Sequence, residues 1–554
     1  MILAYLAAGL AVLLGTMALR VLPRLVHDRR ILRVPFPLAG DQGDAMSHMI
    51  MTDLVRRNGH RIPDRAPQYL LGERLDYPLF FHLVMSFVPR RVLERWEWVV
   101  TPLTEGIHGA FLFGMTAFLL FRFDVVDSPL WWALAVTFAY AITPLLTRPW
   151  RRTGFFGERS FGYLFGHLYI AALVGFILTG AWPFVAAAAI AFAIATASAK
   201  FASQAMAFLS VSLAVLLWDV LPLLVLCGAA VFALVISRGY VWVLLRAHIR
   251  HSVLYCRHLV HLADGTKAFS SRDLWSAASA VSRGRIREAS AAFRRHPLSR
   301  LLTLLPWLLP FALLTALAWP SGAASQDELV RVILAWGWSS VIVAILTMTD
   351  TLKFLGEGER YLEYGVLPMV LAPLFLPAEL GGVWWFLLAA YCVRFYVRQL
   401  RNRVALSLPS DAAAGLAAFM AQQPPATLYG VPGRVVLPLC YGTDHRAVWN
   451  IAHIDSGKRQ EIWLSLFSGG AVYPFSHPDA VRNAGSRYGA DLVVIWKGGA
   501  KAAAQAWGLH YDLNDHAVAF ENDDFVVYRT GAVPRGEITA ELESDSTVAR
   551  AVHG

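Results

Sequence analysis

Residues 1–19, MILAYLAAGLAVLLGTMAL, run without a charge until Arg20, and comparable apolar stretches return along the whole chain. A helix rises about 1.5 Å per residue and the hydrocarbon core of a bilayer is about 30 Å thick, so about 20 such residues make a candidate span. Candidates fall at 2–22, 78–89, 100–121, 129–147, 163–180, 183–198, 203–218, 220–238, 299–319, 330–348, 364–377 and 382–399. Several abut and two are short, so the sequence predicts a polytopic α-helical membrane protein with about 10–13 transmembrane helices. Composition agrees: 16% of residues are charged and 56% are hydrophobic, against about 25% charged in a soluble domain. The first run lacks a basic n-region and a clear small-residue cleavage site, and reads as an uncleaved span.

The charge balance, 49 Lys and Arg against 39 Asp and Glu, does not imply nucleic acid. The arginines sit in short clusters between apolar runs, as in loops that face an anionic leaflet. The bilayer is the expected partner and nucleic acid is not. Cys227, Cys256, Cys392 and Cys440 show no CxxC spacing, which gives neither a disulfide framework nor a zinc site.

Three stretches lie outside the apolar runs. The first loop, 23–77, is polar and too long for a simple connection. The second, 246–298, is rich in Arg and His and reads as amphipathic helices at the interface. Within it, His248, His251, His258 and His261 interleave with arginines and match no zinc spacing. The third separates a membrane domain, 1–405, from a soluble domain, 406–554. GRVVLPL (433–439), DLVVIWK (491–497) and DFVVYRT (524–530) are short β-branched runs bounded by turn formers. DAAAGLAAFMAQQ (411–423) and SHPDAVRNAGSRYG (476–489) read as helices, the latter with Ser476 as N-cap. Alternating strand and helix patterns predict a small α/β domain. It contains no GxGxxG or P-loop spacing, so no nucleotide cofactor is expected.

In the first loop, Asp44 and His48 are spaced i,i+4 and share one helical face. Met49, Met51, Leu54 and Val55 offer an apolar face suited to resting on the membrane, and Gly59 and Pro63 end the helix. Tyr77-Pro78 marks the entry to the next run, with His82 one turn further in. A carboxylate tethered at the lipid surface suits chemistry on a substrate whose leaving group stays in the bilayer.

The ordered set Asp44, His48, Gly59, Pro63, Tyr77-Pro78 and His82 resembles the first extracytoplasmic loop of GT-C superfamily glycosyltransferases. These are multi-span enzymes that take sugars from polyprenyl-phosphate carriers. The resemblance is densest over 41–82, and the overall architecture extends it to the whole chain. It implies that a loop aspartate, Asp44 first and Asp41 second, acts as catalytic base or helps a metal do so. His48, Tyr77 and His82 become candidates for substrate contact, with a structural role for each histidine as the alternative. Inverting glycosyl transfer needs one carboxylate to take the acceptor proton, and positive charge to receive the departing phosphate. Asp41 and Asp44 pairing around Mg²⁺ or Mn²⁺ is the tentative metal reading, since both ions take oxygen ligands. Simple capping or solvation of the loop helix by these acids remains open.

A second polar island, TDTLKFLGEGERYLEYG (349–365), contains a GERY string ahead of an apolar run. It is similar to the acidic-Arg-aromatic motif that precedes a late span in several GT-C mannosyltransferases. That likeness implies Arg360 as a donor-phosphate ligand, supported by Lys353. Glu357 and Glu359 would orient Arg360 or meet sugar hydroxyls. A solvated loop of Glu–Arg pairs is the alternative. Deeper in the chain, Glu105 and His108, i,i+3 in one span, are expected to pair inside the bundle.

The function implied is transfer of a sugar from a polyprenyl-phosphate donor to a glycan, lipid or protein acceptor, in a bacterial inner membrane with an extracytoplasmic site. Arg20, Arg24, Arg29, Arg30 and Arg33 argue instead for a cytoplasmic first loop. Arg398, Arg401 and Arg403 leave the side of the C-terminal domain open. A flippase of lipid-linked saccharide is the second reading, although its usual repeated halves with broken helices are not apparent. A non-catalytic envelope assembly partner is the third.

Overall fold

The computed structural model describes residues 2–27, 43–66, 76–147, 156–254, 256–257, 271–295, 297–318, 326–349, 352–356, 358–401, 411–448, 475–513 and 515–531. It divides into two compact units: Met1–Arg29, Trp96–Leu244 and Ala263–Ala405 form one, and Arg30–Arg95, Leu245–Leu262 and Leu406–Gly554 form the other.

Six helices among the described residues are long and apolar enough to cross a bilayer: Ile2–Pro23, Arg90–Arg122, Arg159–Thr179, Lys200–Leu217, Glu328–Thr347 and Ala378–Arg401. Two bent pairs raise the number to as many as 8. Leu221–Ile236 meets Tyr240–Val253 at 117°, and Leu298–Leu304 meets Leu308–Ala318 at 100°. Pro129–Ile142 and Trp182–Ser198 are shorter apolar helices. The chain is an integral membrane protein, mostly α-helical, with a small sheet near its C-terminus.

Two of the expected spans are not continuous helices. The run at 78–89 yields only Phe80–Ser86, bracketed by Pro78 and Pro89, which a helix interior does not accept. The run at 364–377 is broken by Pro368, Pro373 and Pro377 into a 3₁₀ turn Glu363–Gly365, a helix Val366–Leu371 and a second 3₁₀ turn Ala372–Phe375.

The N-terminal helix Ile2–His27 is seated by close approach. A Cβ at Gly106 would lie 2.7 Å from the Leu13 carbonyl oxygen, and one at Gly109 would lie 2.7 Å from Thr16 Oγ1. Small residues let membrane helices approach to backbone contact. Gly106→Val is expected to lower stability by about 1–3 kcal/mol through overpacking, read as a fall in the thermal unfolding midpoint. An unchanged midpoint would show that the N-terminal helix is not held there.

The soluble domain carries a five-stranded mixed sheet in the order β2-β1-β3-β5-β4, with β1 Thr427–Val431, β2 Arg446–Ala447, β3 Leu492–Trp496, β4 Ala517–Glu521 and β5 Phe525–Arg529. β1 runs parallel to β2 and β3, whereas β5 runs antiparallel to β3 and β4. DLVVIWK and DFVVYRT are strands as read, and Asp411–Ala421 is a helix. GRVVLPL is not a strand: it forms the 3₁₀ turn Gly433–Val436 and the helix Leu437–Cys440, after β1. The 476–489 segment is two short helices, and the first is capped by His477, whose ring accepts from the Asp479 N–H, rather than by Ser476.

Within the second unit the first loop and the soluble domain are in direct contact. Arg57 meets Asp444 at 3.4 Å, and Tyr441 donates to Glu94 at 3.0 Å. Both segments therefore lie on one side of the bilayer.

Candidate active site

The loop helix Gly43–Arg57 ends where Gly59 and His60 both turn left-handed, with φ of 65° and 57°. Its apolar residues Met46, Met49, Met51, Leu54 and Val55 are buried in the protein, so the face expected to rest on lipid is a packing face. The Phe80–Ser86 helix packs against it. Arg56 joins the two by donating to the carbonyls of Ser86 at 3.2 Å and Val88 at 2.9 Å. Asp53, buried on the same helix, holds Arg57 at 2.9 Å and Arg56 at 3.3 Å.

This packing gathers three of the expected residues. His48 Nδ1 lies 3.0 Å from His82 Nε2, and the rings stack with centroids 5.2 Å apart. Tyr77 lies 6.4 Å from the His48 ring and 6.1 Å from the His82 ring. His82 is fully buried, whereas His48 is half-buried. Asp44 stands in the first turn of the loop helix, one turn before His48, where the helix dipole favours a carboxylate. Asp41 and the Asp44 side chain lie outside the described residues.

In the other unit, GERY begins a short helix, Glu359–Leu362. The acids at 359 and 363 each meet an arginine from another helix. Glu359 pairs with Arg300 at 2.8 Å, and Glu363 pairs with Arg159 at 2.8 Å. Both carboxylates are buried, so these pairs fix the segment's orientation. The Arg360 guanidinium stands 5.4 Å over the Phe201 ring, in cation–π range. Lys200 directly precedes Phe201 at the start of the helix Lys200–Leu217. Lys353 lies in the 3₁₀ turn Lys353–Leu355 with its side chain outside the described residues, as is Glu357 altogether.

Sequence reasoning missed Lys200. Its signal was a single lysine between two apolar runs, a position where a membrane protein keeps charge only for a partner. It also missed the partners of Glu105. Arg20 donates to Glu105 Oε2 at 2.9 Å and to the Ala141 carbonyl at 2.9 Å, while Ser160 donates to Glu105 Oε1 at 3.1 Å. His108 packs among Tyr140, Tyr163 and His167, with the His167 ring 4.7 Å away.

No group of three or more His, Cys, Asp or Glu side chains is gathered for a metal among the described residues. The tentative Mg²⁺ or Mn²⁺ reading falls on Asp41 and Asp44, whose side chains lie outside the described residues.

No family model matches the chain, and no curated protein does. Solved structures do. The apo oligosaccharyltransferase of Archaeoglobus fulgidus matches 91% of this chain and 72% of its own length at 13% identity and a TM-score of 0.53. The same enzyme in complex with Zn and sulfate matches 94% and 73% at 13% identity and a TM-score of 0.52. ArnT from Cupriavidus metallidurans, in the apo state, aligns over 96% of this chain and 99% of its own length at 13% identity, with a TM-score of 0.38. The expected resemblance thus holds at the level of architecture: this chain shares the fold of that oligosaccharyltransferase, a GT-C membrane enzyme.

Proposed function

We propose that the protein is a membrane glycosyltransferase that moves a sugar from a polyprenyl-phosphate donor to an envelope acceptor with inversion. The observation that carries this reading is the fold shared with an oligosaccharyltransferase over nine-tenths of the chain. The loop aspartate on one side, and Lys200 and Arg360 on the other, supply the two chemical needs. Asp44, with Asp41 as the second candidate, takes the proton of the acceptor hydroxyl. The acceptor oxygen bonds to the anomeric carbon as the bond from that carbon to the phosphate oxygen breaks. The electron pair leaves with the phosphate, and Arg360 and Lys200, with Lys353 in support, stabilise its charge. His48, Tyr77 and His82 contact the substrate, and Glu359 acts through its Arg300 pair to orient Arg360. The acceptor is a glycan, lipid or protein, and the setting is a bacterial inner membrane with the chemistry on the extracytoplasmic face.

The test uses the purified chain in nanodiscs with synthetic polyprenyl-phosphate donors carrying labelled hexoses or pentoses, and membrane extract as acceptor source. Transfer of label to an extract component is expected. Movement of intact lipid-linked sugar across proteoliposomes without transfer would overturn the reading in favour of a flippase. Arg360→Lys keeps the charge and loses the planar fork that matches phosphate oxygens. It should raise the donor KM about 10- to 100-fold, the equivalent of about 1.4–2.8 kcal/mol, with the chain still folded.

A further inference from the structure

We infer that the turn Tyr441–Asp444 of the soluble domain is a positioning element for the first loop, so that the domain takes part in the reaction by holding the base-bearing helix. The inference rests on the proposed function for its catalytic consequence, but its structural content stands alone.

The turn reaches both the loop helix Gly43–Arg57 and the start of the spanning helix Arg90–Arg122. At the spanning helix, Tyr441 donates to Glu94 Oε1 at 3.0 Å, and Arg90 Nε donates to the same oxygen at 2.7 Å. The Arg90 guanidinium lies 4.7 Å over the Tyr441 ring. Phenol, carboxylate and guanidinium thus form a closed set, each member touching the other two. Gly442 shapes the turn to admit Arg90: its φ is 71°, and a Cβ there would run into the guanidinium. At the loop helix, Asp444 meets Arg57 at 3.4 Å, and Arg57 also holds Asp53 at 2.9 Å on the same helix, which carries Asp44. The preceding helix, Leu437–Cys440, packs on the Gly43–Arg57 helix directly.

The two contacts differ in weight. Arg57 and Asp444 are exposed, and such pairs contribute little. Tyr441 is buried, and its hydrogen bond ends on an ionised acceptor already bound by arginine, which strengthens it. Burial, and then the Glu94 charge, push the Tyr441 phenol above its ordinary value. The hydroxyl therefore keeps its proton, and the bond its donor, at every pH below about 10. The contribution is lost only as pH rises through the raised value.

The test is hydrogen exchange on the full chain in nanodiscs, reading peptides over 43–57 and 80–95, with β1 and β3 as an internal control. Tyr441→Ala and Gly442→Val should speed exchange of the loop peptides at least tenfold while β1 and β3 keep their protection. Tyr441→Phe, which retains the ring under Arg90, should fall between them and wild type. In the transfer assay the same variants should lower kcat about tenfold and leave the donor KM unchanged, with Tyr441→Phe recovering part of the loss. Unchanged loop exchange with protected strands would overturn the inference. If the strands lose protection in the larger substitutions, Tyr441→Phe decides by the same readout, since it removes one hydroxyl. If wild type transfers no sugar, the functional reading fails and the exchange data still decide the clasp.

Discussion

Asp44→Asn is expected to lower glycosyl transfer by about 10²- to 10⁴-fold, the range that a general base contributes, and to leave the protein folded in the membrane. Asparagine matches aspartate in shape and keeps a polar group in the first turn of the loop helix, so the backbone there has little reason to move. It cannot accept the acceptor proton, so the hydroxyl must attack unassisted. Asp41→Asn should lower the rate by less, because Asp41 precedes the helix that begins at Gly43. Initial rates at saturating donor, with the thermal midpoint as a folding control, separate the two. Normal turnover in the double variant Asp41→Asn/Asp44→Asn would remove the loop acids from the mechanism.

Arg20→Met is expected to have the largest effect on stability. The Arg20 and Glu105 side chains are 1% and 3% exposed, and they meet at 2.9 Å. Taking either away leaves a buried charge with water excluded, which costs about 3–5 kcal/mol, whereas replacing both with apolar groups of similar volume is often nearly neutral. Arg20→Met should therefore lower the unfolding free energy by about that amount, and adding Glu105→Leu should restore most of it. The Ser160 hydroxyl and the Ala141 carbonyl would each lose one bond in the double variant, so recovery stops short of complete. Denaturant unfolding in detergent, run as a double-mutant cycle, measures the coupling. Additive losses would show that the pair does not act as a unit.

The sequence was most readable where a single physical constraint acts over a long stretch. Uninterrupted apolar runs became span-length helices at 2–22, 163–180 and 330–348, because nothing but a helix satisfies the backbone in lipid. Runs punctuated by proline, 78–89 and 364–377, did not, since apolarity alone says nothing of continuity. The GRVVLPL segment has the composition of a strand, yet its place after β1 and the proline at 438 make it a 3₁₀ turn and a helix. In the loop, the i,i+4 spacing put His48 on a helix, as found, whereas its closeness to Tyr77 and His82 comes only with the tertiary fold. What no local pattern carries is partnership at long range. Arg20 and Glu105 stand 85 positions apart, and Glu359 and Glu363 find arginines from distant helices. Those pairings depend on the tertiary path of the chain.

The contact between the loop and the soluble domain also sets an order of events during synthesis. Arg57 and Asp444 are 387 positions apart, so at about 5–20 residues per second the loop helix emerges roughly 20–80 s before the turn that holds it exists. During that interval the loop helix lacks its contact with the Leu437–Cys440 helix. A nascent chain stalled before residue 411 should therefore carry inserted helices beside a loop that proteases or chaperones readily reach, and that vulnerability should vanish once the last strand has been made.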